Sequence, residues 1–146
     1  MLVTPYINFN GNCKEALAFY NKAMGANTKF MMTWAEAPDM DDKNQPPEYE
    51  LPDDLENSIL HASFEIGGHE IMACDVPAKE YKKAQGVSIS IAFDSLNEIE
   101  RVYSELAADG DVSMPLTETF WAERFAMVTD KYGVPWMLNL LKECQG

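Results

Sequence analysis

The sequence predicts an α+β fold made of two βαβββ modules, and three observations carry that prediction. Two stretches with helical periodicity, "NCKEALAFYNKAMG" and "SLNEIERVYSELAADG", each follow a short strand-like run, "TPYINF" and "SISIAF". Each helix is followed by three more strand signals. The second set repeats the first at an offset of about 84 residues, the separation of Phe9 and Phe93. A fixed internal period outweighs any single element assignment.

The first strand alternates. Ile7 and Phe9 share one face, and Thr4, Tyr6 and Asn8 share the other. Aligning Phe9 with Phe93 places Ile7 over Ile91, and Thr4, Tyr6 and Asn8 over Ser88, Ser90 and Ala92. The aliphatic face is expected to pack on the helix that follows. That helix begins at Asn12, an N-cap residue with Glu15 three positions on, which resembles a capping box. Ala16, Leu17, Phe19, Tyr20, Ala23 and Met24 fall at helical spacing, and Gly25 is the expected C′ stop.

"TKFMMTWA", "SILHASFEIG" and "HEIMACD" are the next strands, and Gly67-Gly68 joins the last two as a hairpin. An acidic, proline-rich loop, residues 38–58, interrupts this module. Pro38, Pro46, Pro47 and Pro52 argue against regular structure there. "PAKEYKKAQG" reads as a linker and holds the one basic cluster, Lys79, Lys82 and Lys83. The second helix opens on an S-x-x-E box, Ser95 to Glu98, buries Ile99, Val102, Tyr103 and Leu106, and is expected to stop at Gly110. "VSMPLTET", "RFAMVTD" and "VPWMLNLL" complete the repeat, with the turn "DKYG" placing Gly133 where φ > 0 is needed.

At 146 residues the chain suits one domain, 1–146, with the repeat halves at 1–78 and 86–146. Eleven basic against 24 acidic residues give a net charge of −13. A field of that sign repels phosphate backbones, so nucleic acid and anionic membranes are excluded as partners. Eight acids and one lysine lie between Asp39 and Glu56, which leaves a basic protein partner open for that loop. Cys13, Cys74 and Cys144 are odd in number and widely spaced, so reduced thiols are expected rather than a zinc site or disulfide framework. No run is long enough to span a bilayer and no signal-peptide pattern opens the chain, which points to the cytoplasm.

The motifs "PYINFNGNCKEALAFY", "HASFEIGGHEIMACD" and "TFWAERFAMVTDKYGVPWMLN" occur in order over nearly the whole chain. With the paired modules they resemble the PhnB-like branch of the vicinal oxygen chelate superfamily, the glyoxalase and bleomycin-resistance fold. The resemblance implies that the mixed sheets curl around a cavity and that two copies form a homodimer. It also implies, for the superfamily's enzymes, a divalent metal held by His, Glu or Gln from the first and last strands of each module. Here those positions fall on Thr4, Met72, Ser88 and Met137, or on Tyr6 and Ser90 after a slip of two. Two thioethers and neutral hydroxyls suit no hard or borderline divalent ion, although two Met favour Cu(I). The expectation is a domain with no metal and no cofactor. Proteins of this branch carry a label of demethylubiquinone methyl transfer, yet "NFNGNCKE" lacks the glycine-rich turn of a Rossmann-type cofactor site.

By parity the face implied to line the cavity holds Tyr6, Asn8, Met72, Cys74, Ser88, Ser90, Met137 and Asn139, with Trp34 and Trp121 closing it. Such a soft, partly aromatic pocket suits an amphipathic small molecule. His61 shares a face with Ser63 and Glu65 and is a candidate acid–base residue. Glu118 is a weaker candidate, and Glu123 and Arg124 lie near it in sequence. His61, Glu65, Glu118 and Glu123 are the alternative metal donors. Cys74 has no adjacent base to activate it. Small-molecule binding without metal is the first reading, with drug sequestration as one form of it. An enzyme of the superfamily, using a divalent metal or a His/Glu acid–base pair, is the second.

Overall fold

A computed structural model describes residues 1–38 and 51–143. The chain divides into two compact units, Met1–Lys82 and Lys83–Gly146, and the boundary falls inside the expected linker. Each unit holds one helix and one four-stranded mixed sheet, so the architecture is the expected α+β repeat. In the first unit the elements are β1 (Tyr6–Phe9), α1 (Cys13–Met24), β2 (Asn27–Thr33), β3 (Ile59–Ile66) and β4 (His69–Asp75). In the second they are β5 (Ile89–Ala92), α2 (Leu96–Ala107), β6 (Asp111–Thr117), β7 (Ala122–Thr129) and β8 (Pro135–Leu141). The strand orders are β1-β4-β3-β2 and β5-β8-β7-β6, so each sheet has a parallel pair at one end and antiparallel hairpins beyond it.

In each unit the helix covers the aliphatic face of its own sheet. Leu17 and Tyr20 of α1 are buried with Phe9, Phe64 and Ile59, and the Tyr20 and Phe64 rings stack at 5.9 Å. Ile99, Val102 and Leu106 of α2 are buried with Val128, Trp136 and Leu138. The other face of each sheet carries the alternate residues, most of them half-buried or exposed, with Ser63 and Phe125 buried.

Two expected helix ends are corrected. Asn12 is the N-cap by position, but its side chain makes no capping bond and its Oδ1 is buried without a hydrogen-bond partner among the described residues. The cap comes from Asp75, whose Oδ1 accepts the Cys13 N–H at 3.0 Å while Oδ2 accepts the Ile59 N–H at 2.8 Å. A buried carboxylate 62 residues away thus does what the local residue was expected to do. In α2 the box is real on its N-terminal side, since Ser95 Oγ accepts the Glu98 N–H at 3.2 Å. Its end is not at Gly110. Ala108 is extended, and Asp109 takes the left-handed conformation at φ 59°. Gly110 is required for another reason: a Cβ there would lie 2.5 Å from the Thr129 carbonyl oxygen.

The turns follow expectation. Gly67 and Gly68 have φ of 57° and 81°, and Gly133 has φ of 87°. Asp130 organises the last turn. Its Oδ1 accepts from the Tyr132 and Val134 amides at 2.8 and 3.1 Å, and its Oδ2 accepts from Trp136 Nε1 at 2.8 Å. The expected loop 38–58 and Cys144 lie partly or wholly outside the described residues. Among the described residues Cys13 and Cys74 are free thiols, and no helix is long and apolar enough to cross a membrane.

Candidate functional site

The strand register brings the candidate residues of the first unit onto one sheet face, away from α1. Tyr6 pairs with Met72, Met72 with Ser63, and Ser63 with Phe30, which makes one row across all four strands. Asn8 pairs with Cys74, and His61 with Met32, in the adjoining row. His61 is the centre of this face. Its Nδ1 lies 3.1 Å from Tyr6 Oη. The Tyr6 ring stands 5.8 Å from it and the Phe30 ring 6.0 Å. A Tyr6 hydroxyl that donates to Nδ1 requires the tautomer with its proton on Nε2. Nε2 takes no hydrogen bond among the described residues. The ring is therefore oriented by one nitrogen and available at the other.

Cys74 donates its thiol to Asn8 Oδ1 at 3.5 Å. Burial pushes its pKa up, against a hydrogen bond with Tyr6, and the nearby Asp75 pushes it further up. A thiol pushed upward in this way is less readily ionised to the nucleophilic thiolate. Glu65, on the same face as His61, pairs with Lys29 at 3.4 Å.

In the second unit the equivalent face holds Ser90 opposite Met137, and Ala92 opposite Asn139. Asn139 is in turn opposite Phe125 on β7. Its side-chain carbonyl oxygen is buried with no hydrogen-bond partner among the described residues, which leaves an acceptor in need of a donor. Trp121 precedes β7 and meets Phe125 edge-on at 5.3 Å and Phe120 at 4.7 Å. Glu118 is exposed and pairs with Lys142 at 3.0 Å, and Arg124 donates to the Glu123 carbonyl.

Thr4 and Ser88 lie just before β1 and β5, so the strand partners of Met72 and Met137 are Tyr6 and Ser90. Trp34 follows β2 and is placed by its backbone N–H, which donates to the Ser58 carbonyl at 3.0 Å. Sequence reasoning missed Phe30, Met32, Phe125 and Met127. Their signal was present in the period-2 alternation of the middle strands, but parity was carried only along the first and last strand of each module and His61.

A fit for a divalent metal is absent from these donors. The first face offers the Tyr6 phenol, the His61 imidazole, the Cys74 thiol, the Met72 thioether and a Glu65 carboxylate already paired with Lys29, the second offers hydroxyl, amide and thioether groups, and no three His, Cys, Asp or Glu side chains gather anywhere among the described residues.

Residues 2–139 match the family described as 3-demethylubiquinone-9 3-methyltransferase. The chain belongs to this family. Protein YjdN of Escherichia coli K12 is 35% identical over 146 residues, covering 98% of this chain and 97% of its own. The crystal structure of PA1353 from Pseudomonas aeruginosa superposes with a TM-score of 0.81 at 35% identity, over 98% and 99% of the two chains. The PhnB protein of Bacillus cereus gives 0.76 at 27% identity, over 96% and 99%. The fosfomycin resistance protein FosX of Listeria monocytogenes shares the fold alone, with a TM-score of 0.64 at 13% identity over 97% and 94%. These likenesses agree with the glyoxalase and bleomycin-resistance fold.

The family's described activity finds no Rossmann-type cofactor site in these residues. The β1–α1 connection does run strand to helix through Gly11, whose φ is 81°. Yet the N–H that a cofactor's anionic group would meet at the start of α1 is already bonded to the Asp75 carboxylate. The sheet beside it is mixed rather than doubly wound.

Proposed function

We propose that the protein binds an amphipathic small molecule on the open face of its first sheet, without a divalent metal. The observation that carries this is His61, held by Tyr6 through Nδ1 and flanked by the Tyr6 and Phe30 rings. Such an arrangement presents one polar anchor between apolar walls, the usual composition of a ligand pocket. Met72 and Cys74 add soft contacts, and Asn8 and Trp34 complete the proposed lining of this face; Ser88, Ser90, Trp121, Met137 and Asn139 belong to the second unit and are proposed only for its own sheet face. Nε2 as a donor selects a carbonyl, carboxylate or phosphonate-like oxygen on an otherwise aromatic or aliphatic body. Support for the metal-free reading is the donor chemistry of both faces.

A thermal-shift screen tests the proposal. Ligands of that class should raise the unfolding temperature, since a ligand at about 100 times its Kd adds about 2.7 kcal/mol. The gain should vanish in His61→Ala. A library of such compounds that stabilises wild type and His61→Ala equally would overturn it.

An enzyme is the second reading, favoured by the same Tyr6–His61 contact, which orients an imidazole as a general base. Turnover of a bound ligand that is lost in His61→Ala separates it from binding alone. A homodimer in the cytoplasm completes the proposal. Phe120 is 88% exposed in the single chain, apolar surface for a second copy to cover. Light scattering at the mass of two chains is the expected result.

A further inference from the structure

The open face of the second sheet carries a row of three methionines. Met114 on β6 stands opposite Met127 on β7, and Met127 stands opposite Met137 on β8. Ser90 on β5 ends the row. All three methionines are half-buried. They lie on the face away from α2, so they are not part of the core that Val128, Trp136 and Leu138 build with it.

Residues directly opposed on antiparallel strands hold their Cβ atoms about 4.5–5.5 Å apart. Methionine is unbranched and flexible. Three thioethers in one row can therefore turn toward a common point above the middle residue, Met127. Thioethers are neutral and soft, and they select Cu(I) over the divalent oxygen- and nitrogen-seeking ions. A net charge of −13 favours the approach of a cation. In the first sheet the equivalent row is Tyr6, Met72, Ser63 and Phe30, with a single sulfur. The triple row is thus a property of the second module and not of the repeat.

We infer that Met114, Met127 and Met137 form a site for one soft monovalent cation, Cu(I) or its redox-inert analogue Ag(I). The inference is independent of the ligand proposed for the first sheet, because the ion alone is the probe.

The test is an Ag(I) titration of the full chain, with carbon-13 at the methionine methyl groups, in chloride-free buffer. Nine methionines report separately. The expected result is that the Met114, Met127 and Met137 methyl signals move together and stop at one ion per chain, while Met72 stays in place. Met127→Leu, close in volume, should abolish the saturable shift of Met114 and Met137. Methyl signals of the row that do not move overturn the site, and so does silver taken up by Cys74 or Cys144 with the row undisturbed. Retention of the shift in Met127→Leu overturns it as well. Should that variant fail to fold, the wild-type titration decides by itself, with Met137→Leu as the second variant.

Discussion

At the residue scale, Asp75 and Tyr6 make different demands on their surroundings. Asp75 is 2% exposed and accepts amides from the start of α1 and the start of β3, so it ties both to the end of β4. Asp75→Asn turns one acceptor oxygen into a donor facing an N–H. The expected cost is about 1–3 kcal/mol in urea unfolding, with an unchanged midpoint counting against this role. Burial raises the Asp75 pKa, outweighing the lowering by the Ile59, Cys13 and Gly11 amides. A carboxyl raised in the folded state binds its proton more tightly there than in the unfolded chain. Its contribution to stability therefore grows as pH falls through the folded value, and levels off below the unfolded value of 3.8. The difference in stability between wild type and Asp75→Asn should widen on acidification across that window; a difference that narrows would contradict the assignment. Tyr6→Phe removes the bond to His61 Nδ1 from a half-exposed side chain. Stability should change by no more than about 1 kcal/mol. The nitrogen-15 shifts of His61 should report a changed tautomer balance, and unaltered shifts would show that Tyr6 does not orient the ring. Such contacts were not legible in the sequence. Alternation along "SILHASFEIG" placed His61 on a face, but its partner is 55 residues away and is set by the parallel pairing of β1 with β4.

At the element scale, the two helices read alike in sequence and are capped by different means. Local pattern found Ser95 because its oxygen meets an amide three residues on. It placed Asn12 at the N-cap position correctly but not the capping bond, because the acceptor, Asp75, arrives through tertiary structure. Ser95→Ala should therefore cost about 1 kcal/mol, and Asn12→Ala much less. Equal losses in thermal unfolding would mean that the two N-termini are capped alike. The C-terminal end of α2 supplies a sharper contrast. Gly110 looked like a stop residue, yet the left-handed position is Asp109. Gly110→Ala sets a Cβ against backbone at 2.5 Å and should destabilise by about 1–3 kcal/mol, since carbonyl oxygens of β7 and α2 cannot both retreat. Asp109→Gly relieves a side chain at φ 59° and should be neutral or mildly stabilising. Reversal of that order would return the stop to Gly110.

At the scale of the whole molecule, the repeat was the most legible feature, because an offset of about 84 residues appears in helices, strands and turns together. Strand order and the parallel β1–β4 and β5–β8 pairs were not, since parallel partners are joined by no local turn. The methionine row shows the same limit. Met114, Met127 and Met137 are separated by hairpin lengths and by register shifts in β6, so only pairing aligns them. Charge, by contrast, is read from composition alone and has a consequence for stability. Acidic residues exceed basic ones by 24 − 11 = 13. Self-repulsion of that excess is stronger in the compact state than in the unfolded chain. The exposed pairs Lys29–Glu65, Lys83–Asp111 and Lys142–Glu118 oppose it only weakly, at about 0–1 kcal/mol each. Raising sodium chloride from about 0.01 to 0.15 M shortens the Debye length from about 30 to about 8 Å. That screens the repulsion between distant carboxylates far more than it weakens pairs at 3.0–3.6 Å. The net effect should be stabilisation of about 1 kcal/mol, read as a rise in Tm of about 2–4 °C. A Tm that falls over this range would mean that local ion pairs, rather than the acidic excess, govern the electrostatic balance of the fold.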